Sequence, residues 1–254
     1  MATTREAVEQ RYSAAAQRMS QSGANCCGDD CCDQGPDQAA CGASYSADQF
    51  AEVGLDSSIT LGCGNPFFLA DLHPGEVVLD LGSGGGLDVL LSARRVAPEG
   101  HAYGVDMTDE MLALANRNRD KAGVQNASFV KGTIEQVPLP NDSVDVVISN
   151  CVINLAADKD AVIREAYRVL RPGGRFAVSD MVEVRSLPVE VKTEIDARIG
   201  CVAGTIPVED YRQLVLRAGF ESVEIEITGE QGVADLPGAI GSASIRARKP
   251  AEAG

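Results

Sequence analysis

The chain has no tryptophan, aromatic residues make up only 4% of it, and it holds just two histidines. A core of ordinary size is still available, because 44% of the residues are hydrophobic, but it must be built mainly from Val, Leu, Ile and Ala. His73 and His101 lie in no catalytic-looking loop, so chemistry that leans on imidazole as acid or base is poorly provided for. Basic residues are scarce too: 22 against 37 acids, for a net charge of -15, with no Lys/Arg cluster. Nucleic acid and anionic membranes call for a concentrated basic face, so both are disfavoured as partners. No apolar run approaches the ~20 residues that span a bilayer. The first twenty residues also lack the apolar segment of a secretory signal. The expected compartment is the cytoplasm, where thiols stay reduced. Eight cysteines there read as ligands or redox groups rather than as a disulfide framework.

What is present divides into an irregular N-terminal part and a regular remainder. Val8, Tyr12, Ala15 and Met19 recur at helical spacing and predict an amphipathic helix over 5–20. The stretch that follows is rich in Gly, Ser and Asp, carries Cys26, Cys27, Cys31, Cys32 and Cys41, and has no periodicity. It reads as a loop unless something binds its thiols. From Glu76 onward strands alternate with helices. Strands are predicted at 76–81, 102–106, 127–130, 144–149 and 175–179. Helices are predicted after 106 (with Thr108 as N-cap), over 160–170 up to Pro172-Gly173-Gly174, near 189–199 and near 208–218. Strands at 223–228 and 243–247 would add an antiparallel edge. This alternation predicts an α/β fold: a Rossmann-like, doubly wound, mostly parallel sheet with a Cys-rich N-terminal arm and a small C-terminal extension. The expected division is 1–60 for the helix and arm, 61–183 for the sheet domain, and 184–254 for the C-terminal helices and strands.

The run Asp80-Leu81-Gly82-Ser83-Gly84-Gly85-Gly86 stands where the first strand meets the first helix. Glycines there permit a tight turn and a close backbone approach to a ligand at the carboxyl ends of the strands. Asp106 ends the second strand and could accept hydrogen bonds from ribose hydroxyls. A nicotinamide cofactor fits poorly. The dinucleotide fingerprint wants Gly-x-Gly-x-x-Gly/Ala, and the two possible registers put Leu87 or Val89 at its third position. The fourth strand leads into Ser149-Asn150-Cys151-Val152-Ile153-Asn154, so its end carries a thiol where a ligand's reactive part would lie. Cys63 (in Leu61-Gly62-Cys63-Gly64-Asn65-Pro66) and Cys201 (in Gly200-Cys201-Val202-Ala203-Gly204) also sit next to glycine. A buried cysteine is often only a small hydrophobe, but three near one cofactor loop suggest a thiolate site.

An acid ahead of Gly-x-Gly-x-Gly resembles the class I S-adenosylmethionine-dependent methyltransferases over about 72–181. The runs LGCGNP, DLGSGGG, VDMTDEML, SNCVINL and GCVAG are similar to bacterial arsenite methyltransferases. That resemblance implies S-adenosylmethionine as methyl donor, with Asp80, Gly82, Gly84, Gly86, Asp106, Met107, Thr133, Ile134, Glu135 and Asn150 around it. It implies trivalent arsenic as acceptor, bound by Cys63, Cys151 and Cys201, with Cys26, Cys27, Cys31 and Cys32 as auxiliary thiols. Arsenic is soft and thiophilic. Three sulfur ligands would leave its lone pair to displace the methyl group in line, without a general base. Glutathione or thioredoxin would supply reducing equivalents. Two other readings remain: methylation of an organic small molecule, and a thiol-based metal- or metalloid-binding protein built on Cys26-Cys27-x3-Cys31-Cys32, whose spacing is more compressed than that of usual zinc sites.

Overall fold

The computed structural model describes residues 4–22, 45–55, 64–196, 204–233 and 236–251. Val144, Val146, Val147 and Ile148 of β4 (Val144–Asn150) are wholly shut off from solvent. Such a strand has to lie in the middle of a sheet covered on both faces. Its neighbours are β1 (Val77–Leu81) and β5 (Leu170–Glu183), both parallel to it. Outside β1 lie β2 (His101–Asp106) and β3 (Ala127–Lys131), again parallel. On the far side β7 (Leu236–Arg248) pairs antiparallel with both β5 and β6 (Glu221–Val233). The order is β3-β2-β1-β4-β5-β7-β6. The antiparallel edge expected from 223–228 and 243–247 is therefore there, with β7 slotted between β5 and β6.

Alternation along each strand decides which helix covers it. Leu79, Leu81, Val147, Phe176 and Val178 face one way, against α6 (Lys159–Val169) and α8 (Val208–Arg217). Val78, Val146, Ile148 and Ala177 face the other way, against α2 (Ala47–Val53), α3 (Pro66–Leu69) and α4 (Leu87–Val96). Helix α5 (Asp109–Ala122) starts at Thr108, whose hydroxyl accepts from the Met111 N–H at 3.3 Å, in agreement with the expected N-cap. Helix α1 (Thr4–Ser22) lays Ala15, Ala16 and Met19 on Met111 and Leu114 of α5.

Three details differ from expectation. The fifth strand begins at Leu170, not 175: Leu170 pairs with Val144, the register breaks, and pairing resumes at Val146–Arg175. Gly173, at φ 79°, lets the intervening residues leave the ladder. Strands β6 and β7 are both far longer than 223–228 and 243–247. Helix α2 was not foreseen, although Ser46 and Gln49 form a reciprocal capping box at its start. Helix α7 (Val189–Asp196) matches the start of the 189–199 expectation; 197–199 and the Cys-rich arm lie outside the described residues. Among the described residues no helix is long and apolar enough to cross a membrane.

Candidate active site

Strand order reverses between β1 and β4, which opens a crevice beyond their carboxyl ends. The residues picked out from the sequence meet there: Asp80, Gly82, Gly84, Asp106, Met107, Thr133, Ile134, Glu135, Asn150 and Cys151 line a single cleft. Gly86 does not line it. It starts α4 at φ 87°, and a Cβ there would fall 2.6 Å from the Phe129 ring, so its glycine serves packing. Gly82 is also required by packing, since its Cβ would meet Val152 at 2.5 Å. Gly84 is the one that opens on the cleft side: φ is +48° and no atom stands within 4 Å of the point a Cβ would occupy. The loop is held from below, where the N–H groups of Gly82 and Ser83 both donate to the Val105 carbonyl at 2.9 Å. Asp106 braces it from the side. Its Oδ2 accepts from the Gly84 N–H at 3.0 Å and its Oδ1 from the Thr108 N–H and hydroxyl, each at 2.9 Å.

The cleft brings Asp80, Asp88 and Asp106 together, and the one basic side chain on its described lining, Arg5, is paired with Glu135 instead. Burial pushes the Asp80 carboxyl well above its ordinary range, and the charges of Asp88 and Asp106 push it further. Burial likewise raises Asp88 to about 6 and raises Asp106. Among the described residues the buried Ser83 Oγ has no partner. Three buried carboxyls and an orphaned hydroxyl around one hollow suit a ligand that is positively charged and rich in polar groups. S-adenosylmethionine, with its sulfonium and ammonium, meets that description.

Several lining residues were not expected at the site from the sequence. Arg5, Val8 and Tyr12 place α1 across the cleft, with Arg5 Nη2 3.2 Å from Glu135 Oε1. Tyr45 donates its hydroxyl proton to Asp88, 2.7 Å from either oxygen, and accepts from Asn150 Nδ2 at 2.9 Å. Burial and the Asp88 charge raise the Tyr45 phenol far above its usual value, so it stays a donor. These contacts join residues 43 and 105 positions apart in the chain. No local pattern could have disclosed them.

Cys151 follows β4 at φ +58°, a left-handed conformation rare for a residue with a side chain, and is 2% exposed. Its sulfur is in a disulfide, and its N–H donates to the Ser179 carbonyl at 2.8 Å. The other seven cysteines (Cys26, Cys27, Cys31, Cys32, Cys41, Cys63 and Cys201) lie outside the described residues. Described residues close to two of them in the chain pack tightly around the Cys151 turn. Asn150 clamps Gly64, accepting its N–H at 3.1 Å and donating to its carbonyl at 2.8 Å. A Cβ on Gly64 would fall 2.3 Å from Ser179 Cβ. Gly204 approaches Asn154 as closely, with a Cβ site 2.3 Å from the Asn154 carbonyl oxygen. Neither histidine joins the site: His73 is exposed, and His101 bonds Ser128 near the opposite end of the sheet.

The methyltransferase domain family matches residues 72–219. An arsenite methyltransferase of Halobacterium salinarum is 44% identical over 98% of this chain and 67% of its own length. The crystal structure of an arsenic(III) S-adenosylmethionine methyltransferase from Chlamydomonas reinhardtii superposes with a TM-score of 0.65. It is 34% identical and covers 83% of this chain and 72% of that one. The chain belongs to the arsenite methyltransferase family. It spans 47% of the length of another such relative, from Aquipseudomonas alcaligenes, which is 43% identical over 63% of this chain. The fold reaches beyond the arsenite methyltransferases: the [4+2]-cyclase SpnF superposes over 96% of both chains with a TM-score of 0.68 at 20% identity. Fold alone therefore does not select the reaction, which has to be argued from the site.

Proposed function

We propose that this arsenite methyltransferase family member methylates trivalent arsenic held as a thiolate complex by Cys63, Cys151 and Cys201. The observation that carries the reading is the convergence on one turn. Asn150, next to Cys151, clamps the residue after Cys63, and Asn154, three residues on, receives Gly204, three residues after Cys201. S-adenosylmethionine, when bound, supplies a methyl group on a positively charged sulfur. The chain's own contribution is placement and charge. Asp80, Asp88 and Asp106 provide the anionic wall, Asp106 with Gly84 shapes the ribose side, and Met107 with Thr133–Glu135 borders the remainder. The arsenic lone pair forms the new bond to carbon while the carbon–sulfur pair returns to sulfur. No proton has to leave arsenic, in keeping with a cleft that holds no histidine. Positioning of this kind is worth effective molarities of up to ~10^5–10^8 M.

The disulfide at Cys151 bears on the cycle. A disulfide sulfur is not a thiolate ligand, so a two-electron thiol reductant such as glutathione or thioredoxin has to open it before arsenic binds. The reducing cytosol is the compartment that supplies one. The test is speciation of arsenic after incubation with arsenite, thiol and S-adenosylmethionine. Wild type should form methylated arsenic, while Cys151→Ser and Cys201→Ser should lose it at unchanged cofactor affinity. Normal turnover by both variants would overturn the proposal and favour an organic acceptor.

A further inference from the structure

Asp180, on β5, has no solvent exposure, and neither does Tyr211 of α8 beside it. Its Oδ1 accepts from Asn154 Nδ2 at 2.8 Å and from the Met181 N–H at 2.9 Å; its Oδ2 lies 3.4 Å from the Tyr211 hydroxyl. Asn154 is 3% exposed and spends both amide protons on β5, the second on the Met181 carbonyl at 2.6 Å. Its Oδ1 is buried with no partner. A buried carboxylate and an orphaned amide oxygen are both costly, and apolar residues would fill the same space. Packing alone does not explain why they are there.

What they hold is the turn that carries Cys151. A left-handed backbone at a residue with a side chain persists only where its surroundings over-determine it. Here β5 grips the turn at the cysteine and again three residues beyond it. The Ser179 carbonyl takes the Cys151 N–H, while Asp180 and Met181 take the Asn154 amide three residues later. Asn154 itself sits in a single 3-10 turn, Ile153–Leu155, closed by the Leu155 N–H on the Val152 carbonyl at 2.9 Å. Lys159 Nζ caps it by donating to the Asn154 and Ala156 carbonyls. Release of the Asn154 end would let Cys151 relax toward ordinary φ and turn its sulfur to a different direction.

We infer that Asp180 and Asn154 are positioning residues whose side-chain pair sets the direction of the Cys151 sulfur toward arsenic. The inference rests on Cys151 being an arsenic ligand, and the experiment separates the two. Full-length protein reduced with a phosphine, which leaves no competing dithiol, is titrated with arsenite without cofactor, and near-ultraviolet arsenic–thiolate absorption is followed. Asn154→Ala and Asp180→Ala should each weaken arsenite binding by roughly tenfold or more, and the double variant should be no worse than either. Asp180→Asn, whose amide oxygen still accepts from Asn154, should stay within about threefold of wild type. S-adenosylmethionine affinity should hold in all of them. Where Asp180→Ala does not fold, Asn154→Ser carries the test, with an intermediate loss expected. Wild-type arsenite affinity in Asn154→Ala or Asn154→Ser overturns the inference, as does a parallel loss of cofactor affinity, which marks a general structural role. If Cys151→Ser keeps the absorption unchanged, the ligand assignment itself has failed.

Discussion

Asp80, Asp88 and Asp106 are three acids brought within one hollow, and each responds to burial by holding its proton more tightly. A positively charged ligand favours their ionised forms, so its arrival should expel protons. Affinity for S-adenosylmethionine should therefore rise with pH through the value near 6 for Asp88. Titration calorimetry in buffers of different ionisation enthalpy checks it. Net proton release of zero at about pH 6 would show that these carboxylates do not sense the ligand charge. Two of the three acids, Asp80 and Asp106, were legible in the sequence because each stands at the end of a recognisable strand. Asp88 was not, since an acid in the first turn of a helix is ordinary and its partners, Tyr45 and Asn150, come from distant parts of the chain. The same applies to Asp180, which reads locally as one more strand residue.

Elements show a similar division between pattern and destination. The spacing of Val8, Tyr12, Ala15 and Met19 predicts that one face of α1 is buried, and Val8, Ala15 and Met19 are buried in fact. Periodicity does not say against what, and the answer is α5 on one side and the cleft on the other. Strand β7 was foreseen only in part because Gly238 and Gly241 break its apolar run, although residues on either side of Gly241 still pair with β5. The docking of α1 has a testable consequence. Its half-exposed Arg5–Glu135 pair is worth at most about 1 kcal/mol, so the contact of Ala15, Ala16 and Met19 with Met111 and Leu114 has to hold the helix down. Met19→Ala should therefore speed S-adenosylmethionine dissociation by on the order of tenfold, the equivalent of about 1.4 kcal/mol of docking. Arg5→Ala should change it by less than about threefold. Stopped-flow release measurements compare the two. A larger effect from Arg5→Ala would mean that the ion pair, not the apolar contact, closes the cleft.

For the whole molecule, the buried acids oppose the usual response of proteins to acid. Burial lifts Asp180 to about 7 and Asp88 to about 6, from the 3.8 ordinary for an aspartate. Between about pH 4 and 7 the folded protein consequently binds more protons at these sites than the unfolded chain does. Stability from them is greatest in acid and declines as pH rises through the folded values, by on the order of a few kcal/mol in total. The net charge of -15 works in the same direction, because deprotonation adds to self-repulsion. Glu76 and Glu165 act oppositely. Burial works to raise both, but the hydrogen bonds and charges of Arg175 and Arg168, together with the backbone N–H groups of His73 and Val137, outweigh it and hold them below the ordinary carboxylate range. Their contribution is present above the unfolded value near 4.5 and is lost as pH falls below it. The two groups of acids bracket a maximum, so the cofactor-free protein should melt at its highest temperature near about pH 5 and several degrees lower at about pH 8. Saturating S-adenosylmethionine should narrow that gap, since its positive charge offsets the cleft acids at neutral pH. Differential scanning calorimetry across this range, with and without cofactor, measures both effects. A melting temperature that climbs steadily from pH 5 to 8 without cofactor would show that the paired glutamates outweigh the buried aspartates.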